Sequence, residues 1–235
     1  MPSGRSHAPS PTLRTASRQL AFRVAIPAVA LVAVGLFVGF VVVTPLAAWT
    51  GEDRLAVWLQ ARRTPSLDWL AIVASQIGGV RGNAVICVLA VAVLWLATRQ
   101  WWIAAMPALA LTLHIWIHIT TSTLVGRPRP DVEQLDIGQP TASFPSGHMG
   151  ATTAQLLVVT LIICHRVKNR AVRILVVGLT CGYLVVLAWS RIYLGMHHPS
   201  DVAWGAVNGI ACGLMAWHYL RSNPLAPGTA PLRVA

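Results

Sequence analysis

The sequence predicts an all-α, polytopic membrane bundle: six transmembrane helices with short interfacial helices between them. Three observations carry this reading. Of 235 residues, 55% are hydrophobic and only 11% charged, less than half the roughly 25% charge of a soluble domain. Apolar runs recur at lengths that match the roughly 30 Å hydrocarbon core of a bilayer. The basic residues sit at the ends of those runs, where positive charge sets membrane orientation.

Residues 1–21 are rich in Ser, Pro, Arg and Ala and read as a disordered basic tail on the cytoplasmic side. The membrane domain then occupies 22–220. Its first span, Val24 to Val43, is uncharged and lacks a small-x-small cleavage site, so it reads as a retained helix. Residues 52–63 place Leu55, Trp58 and Leu59 on one face and charges elsewhere, the pattern of an interfacial helix. A segment over 66–77, capped by Ser66 and stopped at Gly78-Gly79, is too short to cross. Five more spans are expected at about 82–98, 102–123, 148–165, 171–190 and 201–220, followed by a cytoplasmic tail over 221–235.

Six crossings permit a charge test. With the N-terminus inside, the cytoplasmic segments hold Arg5, Arg14, Arg18, Arg23, Arg99, Arg166, Lys168, Arg170, Arg173, Arg221 and Arg233. All 7 acids fall on the other side, so the whole net charge of +11 is cytoplasmic. That placement also excludes nucleic acid as a partner, because no basic face is left that could dock a duplex. The four cysteines (Cys87, Cys164, Cys181, Cys212) lie in or beside apolar runs without C-x-x-C spacing, which argues against a disulfide framework or a zinc site.

Three polar segments converge on the outer side: Gly126-Arg-Pro-Arg-Pro130, Pro145-Ser-Gly-His148, and the stretch Ser190 to Asp201. Ser146, Gly147 and His148 open a helix, whose free N–H groups and dipole favour an anion. Arg129 and Arg191 add planar donors suited to phosphate oxygens. His197 stands four residues before Asp201, so one helical turn could hold the carboxylate against a ring nitrogen and free the other for attack. His148 could protonate a leaving oxygen. Anion cradle, nucleophile, orienter and acid together describe phosphoryl transfer. No carboxylate cluster is available to hold magnesium, and neither metal nor cofactor is expected.

These segments resemble the three motifs of the type-2 phosphatidic acid phosphatase family, which shares its fold with vanadium haloperoxidases. The family pattern is K-x6-R-P, then P-S-G-H, then S-R-x5-H-x3-D. The second motif matches fully at 145–148 and the third at Ser190, Arg191, His197 and Asp201. The resemblance implies a phosphohistidine at His197, oriented by Asp201, with His148 protonating the leaving group. It also implies that Arg129, Ser146, Gly147 and Arg191 hold the phosphoryl oxygens. The first motif departs from the pattern: its lysine should fall at position 122, which is Ser122. Arg127 or Arg81 is then the candidate replacement charge.

Other polar residues have plainer readings. His198 is out of register and reads as a bystander. His114, His118 and Ser122 form one stripe down the third span, either a hydrogen-bonded structural row or support for the site, with His118 one turn below the missing lysine. Asp131, Glu133 and Asp136 read as a solvated loop face. The function expected is metal-independent hydrolysis of a lipid phosphate or diphosphate at the extracytoplasmic face of a plasma membrane. Phosphatidic acid, phosphatidylglycerol phosphate and undecaprenyl diphosphate all suit the resemblance. Seventeen arginines against one lysine point to a GC-rich bacterial genome and so toward the polyprenyl carrier. A lipid phosphotransferase and a non-catalytic lipid-phosphate binder stay open beside it.

Overall fold

The computed structural model describes residues 21–45, 51–136 and 140–221, and both expected tails lie outside them except at residue 21 and residue 221. Throughout the described residues the regular structure is helical. The first apolar segment is a helix α1 (Ile26–Phe37) flanked by π-helical turns at Ala21–Ala25 and Val38–Val43. Then come α2 (Glu52–Gln60), α3 (Pro65–Gly78), α4 (Val80–Thr98), the single turn α5 (Trp101–Ala104), α6 (Met106–Val125), α7 (Gly147–Arg166), α8 (Arg170–Tyr193) and α9 (Pro199–Arg221).

Among the described residues, five stretches are long and apolar enough to cross a membrane: Phe22–Val43, Val80–Thr98, Trp101–Val125, Gly147–Arg166 and Arg170–Tyr193. Each coincides with an expected span to within a few residues, and together they give the chain the make-up of a multi-pass membrane protein. The sixth expected span coincides with α9. It has 23 residues, but Asp201, Asn208 and His218 and its many glycines and alanines make it the least apolar of the long helices.

Local signals explain most boundaries. α3 starts slightly earlier than expected: Thr64, not Ser66, is the cap, its hydroxyl accepting from the Leu67 N–H at 3.4 Å with Pro65 at the first helical position. Ser146 caps α7. Asn169 caps α8 by accepting from the N–H groups of Ala171 and Val172. α6 ends at Gly126 in the left-handed conformation (φ 61°) that glycine adopts without penalty.

α7 is the central helix, packed against α6, α8 and α9. The buried core joins Ile117 and Ala110 of α6, Ala154, Val158 and Ile162 of α7, and Cys212 and Ala216 of α9. Gly205, Gly209 and Gly213 face the α7 backbone, so that α9 approaches it more closely than any side chain would allow. A buried polar node ties α4 to α7: the Asn83 amide donates to the Gly78 carbonyl and to Thr152, and Gln155 donates to the Asn83 side chain at 2.8 Å. The outcome is that the ends of α6 and α8 and the starts of α7 and α9 meet at one end of the bundle.

Candidate active site

A cavity of about 340 Å³ opens where those four helix ends converge. Its polar end is formed by Arg129, Thr141, Gly147, His148, Arg191 and His197. Its other end is lined by Val80, Ala84, Leu111, Ile115 and Ile119 of α4 and α6, with His114 and His118 between the two. Sequence reasoning named Arg129, Gly147, His148, Arg191 and His197, and the fold brings all five to one cavity from three separate segments.

His197 is 3% exposed, and its Nδ1 lies 2.6 Å from the Ser143 carbonyl oxygen. A carbonyl can only accept, so Nδ1 carries the proton and Nε2 keeps its lone pair. Burial, and then the charges of Arg191, Arg129 and His148, hold the imidazole well below its usual titration range.

The expected contact between Asp201 and the ring of His197 is not made. α9 begins at Pro199, so residue 197 lies outside the helix and cannot stand one turn behind residue 201. Asp201, the third residue of α9, instead closes the helix start on itself, accepting from the His198 backbone N–H at 2.8 Å as the acid of a capping box does. The same Oδ2 accepts from the Ser143 hydroxyl at 2.6 Å and faces His198 Nδ1 at 3.0 Å. Asp201 thus reaches His197 through Ser143.

Both arginines are held from behind. Arg191 is fully buried and donates through Nη1 to Ser75 and, at 2.5 Å, to Asp136, while its Nε and Nη2 have no partner among the described residues. Asp136 is therefore an ion-pair partner and not the solvated residue expected from the loop's composition; Glu133 pairs with Arg63 and keeps most of its side chain exposed. Arg129 donates to the carbonyls of Met196 and Thr141 at 2.8 and 2.9 Å. Its pKa is lowered by burial, against the pull of Asp136 and Asp201.

Ser146 lies beneath the cavity, its N–H donating to the Asp201 carbonyl and its hydroxyl capping α7. Gly147 and His148, which open α7 and whose N–H groups have no acceptor within their own helix, line the cavity's polar end. Neither candidate for the missing lysine's charge, Arg127 or Arg81, is on the cavity wall. Ser122 is buried with its hydroxyl 3.5 Å from the Ala142 carbonyl and is not on the cavity wall. Arg127 is engaged instead with Asp201, Ser200 and Glu52. His118 does line the cavity and stacks on His114, ring centroids 5.6 Å apart. The two rings sit against Gly147 and Gly150, where any Cβ would collide with them.

Ser143, Asp136, Ser75 and Glu52 were not read from the sequence as site residues. Ser143 acts through its carbonyl, which has no sequence signature, although its place two residues before Pro145 was a clue to its proximity.

Comparison with known proteins identifies the family. The PAP2 superfamily model matches residues 101–224, just over half of the chain. Decaprenylphosphoryl-5-phosphoribose phosphatase of Mycobacterium tuberculosis is 36% identical over 120 residues, 49% of this chain and 58% of that protein. YbjG of Escherichia coli, provisionally named an undecaprenyl-diphosphatase, is 30% identical over 121 residues, 50% of this chain and 57% of that protein. The chain thus spans a little over half the length of these curated relatives. A crystal structure of a PAP2-type phosphatidylglycerolphosphate phosphatase from Bacillus subtilis superposes with a TM-score of 0.71 at 19% identity, covering 82% of this chain and 95% of that one, which establishes a shared fold. With the family model covering both histidines, both cavity arginines and Asp201, the chain belongs to the PAP2 superfamily.

Proposed function

We propose that this protein is a lipid phosphate phosphatase that forms a phosphohistidine at His197. The observation that carries the reading is the tautomer of His197: its proton is fixed on Nδ1 by Ser143, which leaves the lone pair on Nε2, and the ring lines a cavity together with Arg129, Arg191 and His148. Arg129, Arg191 and the first N–H groups of α7 hold the phosphoryl oxygens. The Nε2 lone pair attacks phosphorus, the bond to the leaving oxygen breaks, and His148 gives that oxygen a proton. Water then attacks the phosphohistidine, His148 takes its proton, and phosphate leaves with His197 neutral again. Donors fixed before the reaction lower the barrier because they need not reorganise as charge develops. His118 flanks the leaving group, and Arg127 keeps Asp201 in place.

The substrate class is a phosphate or diphosphate on a long apolar chain, and the names of the two relatives favour a polyprenyl carrier. Val80, Ile115 and Ile119 line the cavity and are also exposed on the bundle's outer surface, at 82%, 44% and 51%. A lipid can therefore slide in from the bilayer between α4 and α6, head group first. In this reading α9 makes the sixth crossing, the termini are cytoplasmic and the site faces outward, as the charge distribution requires. Ser122 in place of a lysine keeps a hydroxyl acceptor in play as the second reading.

The test is phosphate release in mixed micelles with EDTA, wild type beside His197→Ala, on phosphatidic acid, phosphatidylglycerol phosphate and undecaprenyl diphosphate. Release by wild type alone, with an acid-labile, base-stable phosphoenzyme, supports the proposal. Equal release by His197→Ala sinks it. Release that requires an added alcohol moves the assignment to a phosphotransferase.

A further inference from the structure

Beside the cavity, with Arg129 lining both, a solvent-facing groove is bounded by Asp53, Arg127 and His198. His198 is 5% exposed and bridges two acids: Nδ1 lies 3.0 Å from Asp201 Oδ2 and Nε2 lies 3.0 Å from Asp53 Oδ1. Asp201 is fully buried, with Arg127 on its other oxygen. Its Oδ2 gathers the His198 backbone N–H, the His198 ring and the Ser143 hydroxyl. The Ser143 carbonyl in turn sets the ring of His197. One unbroken chain of contacts therefore runs Asp53, His198, Asp201, Ser143, His197.

We infer that His198 is a positioning residue for the reaction, an inference that rests on reading His197 as the nucleophile. A carboxylate with Arg127 on one oxygen and several donors on the other cannot rotate without losing one of them. Without the His198 ring, Oδ2 loses a side-chain donor, and the carboxylate can turn toward Arg127 and draw the Ser143 loop with it. Catalytic groups must be held within about 0.5 Å and 10–20° of their working geometry. A displacement of about 1 Å is enough to cost roughly 100-fold in rate. Asp53 holds the ring from the opposite side, and it belongs to the first turn of α2, so that helix is docked directly onto the machinery. The His-His pair is thus divided in labour: His197 lines the cavity and His198 lines the neighbouring groove.

The experiment compares His198→Phe, which keeps ring volume without donors, His198→Gln, which keeps one donor, and Asp53→Asn. Turnover is followed on a lipid phosphate, and 15N-histidine NMR, assigned with His197→Ala, reports the tautomer of His197. Expected for His198→Phe is a kcat lower by about 10- to 100-fold with KM within about twofold, and His197 signals that shift from one tautomer to a mixture. His198→Gln should recover part of the kcat, and Asp53→Asn should lie between it and wild type. The inference is overturned if His198→Phe leaves the tautomer unchanged, if its kcat stays near wild type, or if kcat, KM and melting temperature all worsen together and His198→Gln rescues none of them. Should wild type release no phosphate at all, the nucleophile reading fails, while the NMR comparison still decides whether His198 sets the His197 ring.

Discussion

His197 Nδ1 and the Ser143 carbonyl oxygen are 2.6 Å apart, and this contact takes the place usually imagined for a carboxylate behind a catalytic histidine. Ser143 is itself placed by its hydroxyl on Asp201, at 2.6 Å. Ser143→Ala should therefore keep the carbonyl yet loosen it. A hydrogen bond to a charged group contributes about 1.5–3 kcal/mol, and each 1.36 kcal/mol is about tenfold in rate. We expect kcat to fall by about 10-fold or more with KM little changed, as read from steady-state kinetics.

The pH profile should carry the mark of His197. Its pKa is held well below the usual histidine range by burial, then by Arg191, Arg129 and His148. As the proposed nucleophile it must be unprotonated, so activity is lost only as pH falls through the lowered value. kcat/KM should thus show no acid limb near pH ~6.5, the unperturbed value. Arg129→Gln removes one of the charges that depress the pKa, and the acid limb should move to higher pH in that variant even as turnover falls.

Arg127 is a stability residue. It is buried against Asp201 and Glu52. Arg127→Leu leaves a buried acid unpaired, a change that costs about 3–5 kcal/mol. The melting temperature in detergent should drop far more than for Arg81→Leu, whose side chain is exposed.

Restoring a lysine at position 122 should not restore a phosphate contact. Ser122 is 1% exposed and off the cavity wall. Ser122→Lys must bury an ammonium or push apart the loop at Ala142, and the expected result is a lower melting temperature with no gain in kcat/KM. A rise in kcat/KM would show that the side chain can reach the cavity after all.

Ile115→Trp tests entry from the bilayer. Ile115 lines the apolar end of the cavity and is half exposed beside α4. A bulky ring there should raise KM for a long-chain lipid phosphate several-fold and leave a short-chain, water-soluble analogue unaffected.

Five of the spans were legible in the sequence because a bilayer demands long apolar runs, and the residues that share the cavity stood out because polar residues clustered where such runs ended. What could not be read is what depends on contact across elements or on the backbone. Asp136 looked solvated because its loop is polar, and only the fold shows Arg191 beneath it. The pairing of Asp201 with His197 assumed a helix through both, although Pro199 between them already marked where the helix starts. His198 looked incidental because Asp53, its second partner, lies 145 positions away. Thr64 was passed over as a cap in favour of Ser66, although Pro65 at the first helical position pointed to it.

The imidazoles of His114 and His118 rest where Gly150 and Gly147 have no side chain. Each ring thereby fills a notch cut by a missing methyl, and the spacing of α6 and α7 is set by the pair of residues and not by either alone. Evolutionary drift at these positions must then be concerted. Across descendants of this sequence, a larger residue at 150 should appear only where 114 has lost its ring, and the two columns should change together.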